Sequence, residues 1–355
     1  MDVVGEILAR LDVEDVLRCK SVCKSWYNYL STSYFVNKVH LKHSINRNRE
    51  HGDLRIQLHY KFFYSTNNMV GSCNGLVCIS FFKKRDRFLV TNPSTREVRE
   101  LPMLLPYKFN NRVVWGFGYD STTDDYKVVF GSDKSNHHMG FQVLSLKSNK
   151  WKYTVGECDD YLTYNAHHRF LAGVLYDGAL HWFVNDMKKN KTVILSYDLS
   201  LDKFKEVPQP CDAKYVCGDE HENILGVFEG CLCIIRPYDL VSDDCHAWVM
   251  RNYNCWQMLP HDYQGNKYAA PAATIAYKLD RLPNNTWRLC DDDKGNVDLS
   301  SQDWFNIPAP IYVKSLVSPY LFMKPSNNNN NNKRELDSSF EKPEKKNKKR
   351  IFLSL

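Results

Sequence analysis

The apolar positions of this chain change period once, from a spacing of three and four to short near-continuous runs. Val4, Ile7, Leu8 and Leu11 recur at helical spacing, with Asp2, Glu6 and Arg10 on the other side. Asp12 interrupts that stripe and predicts the start of a second helix, with Asp15 three positions later in the manner of a capping box. The second helix carries Val16 and Leu17, and a third presents Val22, Cys23, Trp26 and Leu30. Three short helices within residues 1–45 cannot bury such faces on one another, since isolated domains below ~40 residues usually need a staple or a partner. A large aromatic left beside aliphatics predicts a partner-binding face.

From about residue 53 to 323 the pattern is all-β: runs such as "GLVCISF", "YKVVFG", "VILSYDL" and "CLCIIRP" alternate with Gly, Asn, Asp and Pro turns. Segments beginning at Val98, Trp151, Phe204 and Trp256 start with an apolar residue, follow a polar turn, and stand 53, 53 and 52 residues apart. Glycine-led segments at Gly75, Gly178 and Gly230 keep the same time, and the missing member falls on "DYKVVF" near residue 127. A period near ~50 residues with about four strands per unit predicts kelch-like propeller blades. The length allows about five units, the fifth irregular around "TWRLCDDDKGNV". A β-sandwich with coincidental spacing is the alternative. The expected fold class is therefore α+β and multidomain: a three-helix piece over 1–45, an all-β domain over 53–323, and a tail over 324–355.

Composition narrows the function. The net charge is +6, but residues 333–350 hold eight Lys/Arg against four Asp/Glu, which leaves only +2 for the rest of the chain. A near-neutral body lacks the basic surface that phosphate backbones require, so nucleic acid is not an expected partner. The Asn-rich, basic tail reads as disordered, with either a nuclear-import cluster or a solubilising role. No apolar run reaches the ~20 residues of a membrane span, and the charged start lacks a secretory signal. The twelve cysteines are accordingly expected as free thiols in the nucleus or cytoplasm.

Catalytic and metal chemistry is not expected. Cys73/Cys78 and Cys231/Cys233 read as strand residues and form no CxxC pair. The histidine pairs 137–138 and 167–168 lie in polar loops, and "DDDKGNV" lacks the register and the bidentate Glu of a calcium loop. Cys19 and Cys23 have the i,i+4 spacing of a helical metal pair, but no second pair of ligands stands nearby. No phosphate-binding glycine loop or nucleophile elbow is present, so no cofactor, metal or enzymatic activity is predicted.

The N-terminal stretch "DVVGEILARLDVEDVLRCKSVCKSWYNYL" resembles the plant F-box. "GSCNGLVCIS", "NPSTREVRELP", "GFGYDSTTDDYKVV", "GALHWFV" and "AWVMRNYNCW" resemble the F-box-associated domain of the same families, which include S-locus F-box proteins. The resemblance implies a non-catalytic substrate receptor of an SCF-type E3 ubiquitin ligase. Its F-box would dock on a Skp1-like adaptor, and through it on cullin-1 and a RING subunit, while the β domain holds an unidentified protein target. Carried over by position, the adaptor face comprises Val4, Ile7, Leu8, Leu11, Val16, Leu17, Val22, Cys23 and Trp26. Two departures stand out: the Leu-Pro that usually opens the motif is missing, and Asp12 replaces a proline, which predicts a less rigid corner and weaker docking. The alternative is a module that sequesters or scaffolds a partner outside any ligase. Target contacts are expected in loops 103–112, 132–140, 157–170, 211–222 and 237–246.

Overall fold

The computed structural model describes residues 3–51, 57–58, 67–81, 87–104, 113–133, 139–154, 161–163, 170–186, 188–212, 215, 223–228, 230–236, 246–253, 255–259, 274–281, 287–291, 304–308 and 313–321. Three helices open the chain: α1 (Val3–Ala9), α2 (Val13–Cys19) and α3 (Lys24–Leu30). A π-helical stretch, Tyr34–His40, then runs directly into α4 (Leu41–His51). The sequence predicted three helices ending near residue 45. The additional segment exists because Phe35, Val36, Val39 and His40 form a stripe that is buried, packing on α1 and α3.

Four successive antiparallel meanders follow. The first has strands Asn67–Cys73, Leu76–Phe81, Arg87–Asn92 and Glu97–Glu100. The second has Val113–Asp120, Asp125–Asp133, Met139–Ser145 and Lys150–Thr154. The third has Val174–Tyr176, Ala179–Asp186, Lys191–Asp198 and Lys203–Val207. The fourth has Ile224–Phe228, Cys231–Arg236, His246–Asn252 and Cys255–Met258. A fifth sheet has three described strands, with Thr274–Arg281 between Trp287–Asp291 and Trp304–Pro308. The four complete sheets account for the repeat, and the predicted missing glycine-type member is indeed the second strand of the second sheet.

Second strands such as "ALHWFV" and "CLCII" read as continuous apolar runs because both faces of their sheets are covered. Val129, Phe141 and Val143 of the second sheet pack with Trp182, Val184 and Leu195 of the third. Phe183 and Ile194 of the third pack with Ile234 and Trp248 of the fourth. Seams between consecutive sheets of one repeating meander are incompatible with the sandwich alternative.

The period has a physical content visible only in three dimensions. Each leading aromatic sits on the fourth, edge strand of its sheet. Trp151 Nε1 donates to the Pro102 carbonyl at 2.8 Å and Trp256 Nε1 to the Pro208 carbonyl at 2.7 Å, in each case reaching the end of the preceding unit. The third unit has Phe204 at this position, and the unit before it ends in Val155 rather than proline. Trp151→Phe should therefore cost about 1 kcal/mol beyond its lost packing, the typical worth of one hydrogen bond. A shift in urea midpoint would measure it, and a shift no larger than that of a Phe204→Leu control would remove the bond from the account.

Two buried cations make a second repeated link. Arg99 donates to the Leu146 carbonyl (3.0 Å) and Asn149 Oδ1 (2.7 Å), gripping the third hairpin of the second sheet. Lys127 donates to the Leu199 carbonyl and to Asp202 Oδ1 (2.7 Å), the matching atoms 53 residues later. Each cation comes from the preceding sheet. Asn149 and Asp202 both hold the left-handed conformation that ends these four-residue turns (φ 55° and 53°).

Residues 313–321 close the described fold on the first sheet. Asn92 Nδ2 donates to the carbonyls of Ser315 (2.9 Å) and Val317 (2.7 Å), while its Oδ1 accepts from Ser94 N at 2.8 Å. Ser315 Oγ donates to the Asn74 carbonyl (2.7 Å), Arg99 Nη1 to that of Pro319 (2.9 Å), and the Tyr320 hydroxyl to that of Val98.

Strand direction sorts the connections. Tight turns at 74–75, 93–96, 121–124, 146–149, 177–178 and 199–202, and the turn through Gly230, all leave from one end of the sheets. The links between second and third strands, and between consecutive sheets, all leave from the other. Most residues of the five loops named as target contacts lie outside the described residues.

Candidate adaptor-docking surface

The first three helices are seven residues each, too short to be stable alone in water. They are held by the chain's own next segment. Leu8, Ala9, Val13, Val16, Leu30, Phe35, Val36 and Val39 are buried in one apolar cluster that continues into the first two sheets and Leu316–Val317. Gly5 lets α1 approach α3 closely: a Cβ there would lie 2.5 Å from the Tyr29 hydroxyl. Part of the core expected on a second polypeptide is thus supplied within the molecule.

That packing divides the nine expected contact residues. Val4, Ile7, Leu17, Val22 and Cys23 are exposed, with Ile7 at 57% and Val22 at 66%. Leu11 and Trp26 are half-buried against the chain's own cluster. Leu8 and Val16 are buried, at 5% and 0%, and present no docking surface. Helical spacing grouped them with the other apolar residues but did not show that the chain's own core covers them. Val3, Tyr27 and Tyr34 are exposed beside these helices and were not singled out from sequence.

Two local expectations change. Val22 and Cys23 precede α3; Cys23 is its N-cap, and its Sγ accepts from Trp26 N at 3.5 Å. Cys19 ends α2, so the two thiols do not share a helix and the i,i+4 metal geometry does not arise. The Asp12 side chain makes no capping hydrogen bond to α2. Its carboxylate pairs instead with Arg47 of α4, whose Nη2 also donates to the carbonyls of Arg10 (2.8 Å) and Leu11 (3.2 Å). Buried His40 adds a bond from Nε2 to the Leu11 carbonyl at 3.1 Å. The corner that the family pattern stiffens with proline is here clamped from α4, so the predicted loss of rigidity is offset.

The helical piece joins the β domain at its tight-turn end. Lys314 Nζ meets Glu14 of α2 at 2.7 Å, and Lys314 belongs to the segment seated on the Asn74–Gly75 turn. Both partners are at least half exposed, so this pair sets orientation more than stability.

The titratable groups behave as structural elements. Burial pushes the Cys73 thiol up to about 12 and raises Cys78 and Cys233 further, which leaves them inert toward metals and oxidants. Among the described residues no cluster of three His, Cys, Asp or Glu could hold a metal ion, and no helix is long and apolar enough to cross a membrane. The histidine pairs and "DDDKGNV" beyond Asp291 lie outside the described residues.

Burial lowers His181 to about 4, against the raising effect of its hydrogen bonds to the Val174 and Ala179 backbone. His40 is lowered chiefly by burial, with His43 and Lys20 adding to the effect against the Leu11 bond. Unfolding would return both to about 6.5, so their contribution is complete above that pH and falls as pH drops below it, for His181 down to about 4. Burial would raise Asp120, Asp186 and Asp198, but hydrogen bonds from their own turns hold them below the usual carboxylate range, so their losses begin only at lower pH. Between pH 7 and 5, His181 alone should account for about 2 kcal/mol. Urea midpoints at the two pH values measure this, and His181→Asn should flatten the difference.

Comparison with known proteins matches these features. Residues 1–38 match the F-box domain model, and residues 30–265 match that of the F-box associated beta propeller domain. F-box protein CPR1 of Arabidopsis thaliana is 30% identical over 295 residues, 72% of this chain and 70% of that protein. F-box protein At3g07870 of the same species is 25% identical over 82% of this chain and 78% of its own length. F-box/kelch-repeat protein At3g23880, also from that species, is 25% identical over 71% and 75%. With a short helical bundle leading into stacked four-stranded sheets, and with family matches across both parts, this chain belongs to the F-box proteins that carry an F-box-associated β-propeller domain.

Proposed function

We propose that this protein is a substrate receptor of an SCF-type E3 ubiquitin ligase. The observation that carries the reading is the exposed apolar face Val4, Ile7, Leu17, Val22 and Cys23 on the N-terminal helices. A Skp1-like adaptor covers that face, with Trp26 at its margin, and brings cullin-1 and the RING subunit with it. The β domain holds the target. The receptor performs no bond chemistry itself: it holds a target lysine near a ubiquitin-charged E2 and so raises its effective concentration.

Co-purification of the full-length chain with a Skp1-like adaptor tests the docking half. Failure both of the chain as it stands and of a version extended by Leu-Pro at its start would end the proposal. Target turnover tests the other half. A captured target whose half-life is unchanged on overexpression would identify a sequestering module instead.

A further inference from the structure

The corner between α1 and α2 decides whether the exposed apolar residues form one surface. Val4 and Ile7 stand on α1, Leu17 on α2, and Val22 and Cys23 on the link that follows α2. α1 packs on the π-helical stretch and α2 on α3, so residues 10–12 are the direct link between the two halves. A swing of about 20° at that corner would carry the far end of α1, a helix of about 10 Å at 1.5 Å per residue, through roughly 3 Å. A displacement of that size opens gaps along any partner fitted to both helices.

What holds the corner comes from further along the chain. Arg47 Nη2 donates to the carbonyls of Arg10 at 2.8 Å and Leu11 at 3.2 Å, and Nη1 meets the Asp12 carboxylate. His40 Nε2 donates to the same Leu11 carbonyl at 3.1 Å, with Ser44 Oγ 3.4 Å from its Nδ1. Three consecutive residues of the corner are therefore gripped by one side chain of α4. An ion pair to a carboxylate as exposed as that of Asp12 contributes little by itself. The geometry comes from the guanidinium, whose N–H groups are fixed in one plane and reach all three acceptors together.

We infer that Arg47 is a positioning residue for adaptor docking: from α4 it fixes the corner, and with it the angle at which α1 and α2 present Ile7 and Leu17. This rests on the receptor reading above and deepens it by a residue beyond 1–38, the stretch that matches the F-box domain. The corner also supplies a test of mechanism. Asp12 holds φ −68°, the angle at which a proline ring locks the backbone. Its N–H has no acceptor among the described residues. Proline at this position stiffens the corner without any help from α4.

Binding of the full-length chain to an immobilised Skp1-like adaptor, measured well below each variant's melting transition, tests the assignment. Arg47→Ala should raise Kd about tenfold, the fold-change that follows from losing one charge-assisted hydrogen bond. Arg47→Lys keeps the charge without the fork and should raise it by about threefold, which preserves the test if the alanine variant does not fold. Adding Asp12→Pro to either variant should return Kd to within about twofold of wild type, because the ring replaces the clamp. Lys42→Ala removes an exposed cation from the same helix and should leave Kd unchanged. Wild-type binding by both Arg47 variants, a loss that the added proline does not recover, or an equal loss in Lys42→Ala would overturn the assignment. Absence of binding by wild type and by Asp12→Pro alone is a separate pattern, which removes the receptor reading and this assignment with it.

Discussion

Gly75→Ala should destabilise the protein by on the order of 4 kcal/mol, while the same change at Gly178 or Gly230 should cost only about 1–2 kcal/mol. All three glycines end the first hairpin of a sheet with positive φ, at 81°, 73° and 73°. A side chain strains the backbone equally in each. At Gly178 and Gly230 the added Cβ meets nothing within 4 Å. At Gly75 it would lie 2.5 Å from the Val313 carbonyl and 2.7 Å from Ser315 Cβ, so the closing segment must move. That movement breaks the Ser315–Asn74 bond and disturbs the two that Asn92 makes to the same strap. Urea denaturation of the three variants measures the contrast. Equal losses would mean that residues 313–317 are not seated on the Asn74–Gly75 turn.

The second large effect concerns docking. Ile7→Asp with Leu17→Asp should weaken adaptor capture ~1000-fold, at about 2 kcal/mol or more for each buried contact replaced by a charge. Thermal stability should barely change, because both side chains face solvent in the free chain. Trp26→Ala is a poorer test than its size suggests: Trp26 packs partly against the chain's own core, so folding and docking losses would mix. A double variant that still captures the adaptor at wild-type strength would move the docking surface elsewhere. Val3, Tyr27 and Tyr34 would then be the exposed apolar residues to examine.

The clamp on the α1–α2 corner bears on the same measurement. Proline stiffens a corner covalently, whereas Asp12 relies on Arg47 from a helix about 35 residues away. The corner therefore holds its angle only when α4 is folded, and docking geometry is coupled to residues beyond the F-box proper. An F-box peptide ending near residue 38 would lack that clamp.

Much of this was legible in one dimension because its cause is local. Val4, Ile7, Leu8 and Leu11 declare a helix through 3.6-residue geometry, and the spacings of Val98, Trp151, Phe204 and Trp256 declare a repeat because each unit solves the same folding problem. The family resemblance lay in those same residues. Tertiary structure decided everything that depends on who covers whom. Leu8 and Val16 are buried because the chain's own core covers them, and Asp12 became half of an ion pair because α4 brings Arg47 to it. Arg99 and Lys127 became links between sheets. A residue's own period fixes which way its side chain points; what it meets there is set by segments tens to hundreds of positions away, and no local pattern records them.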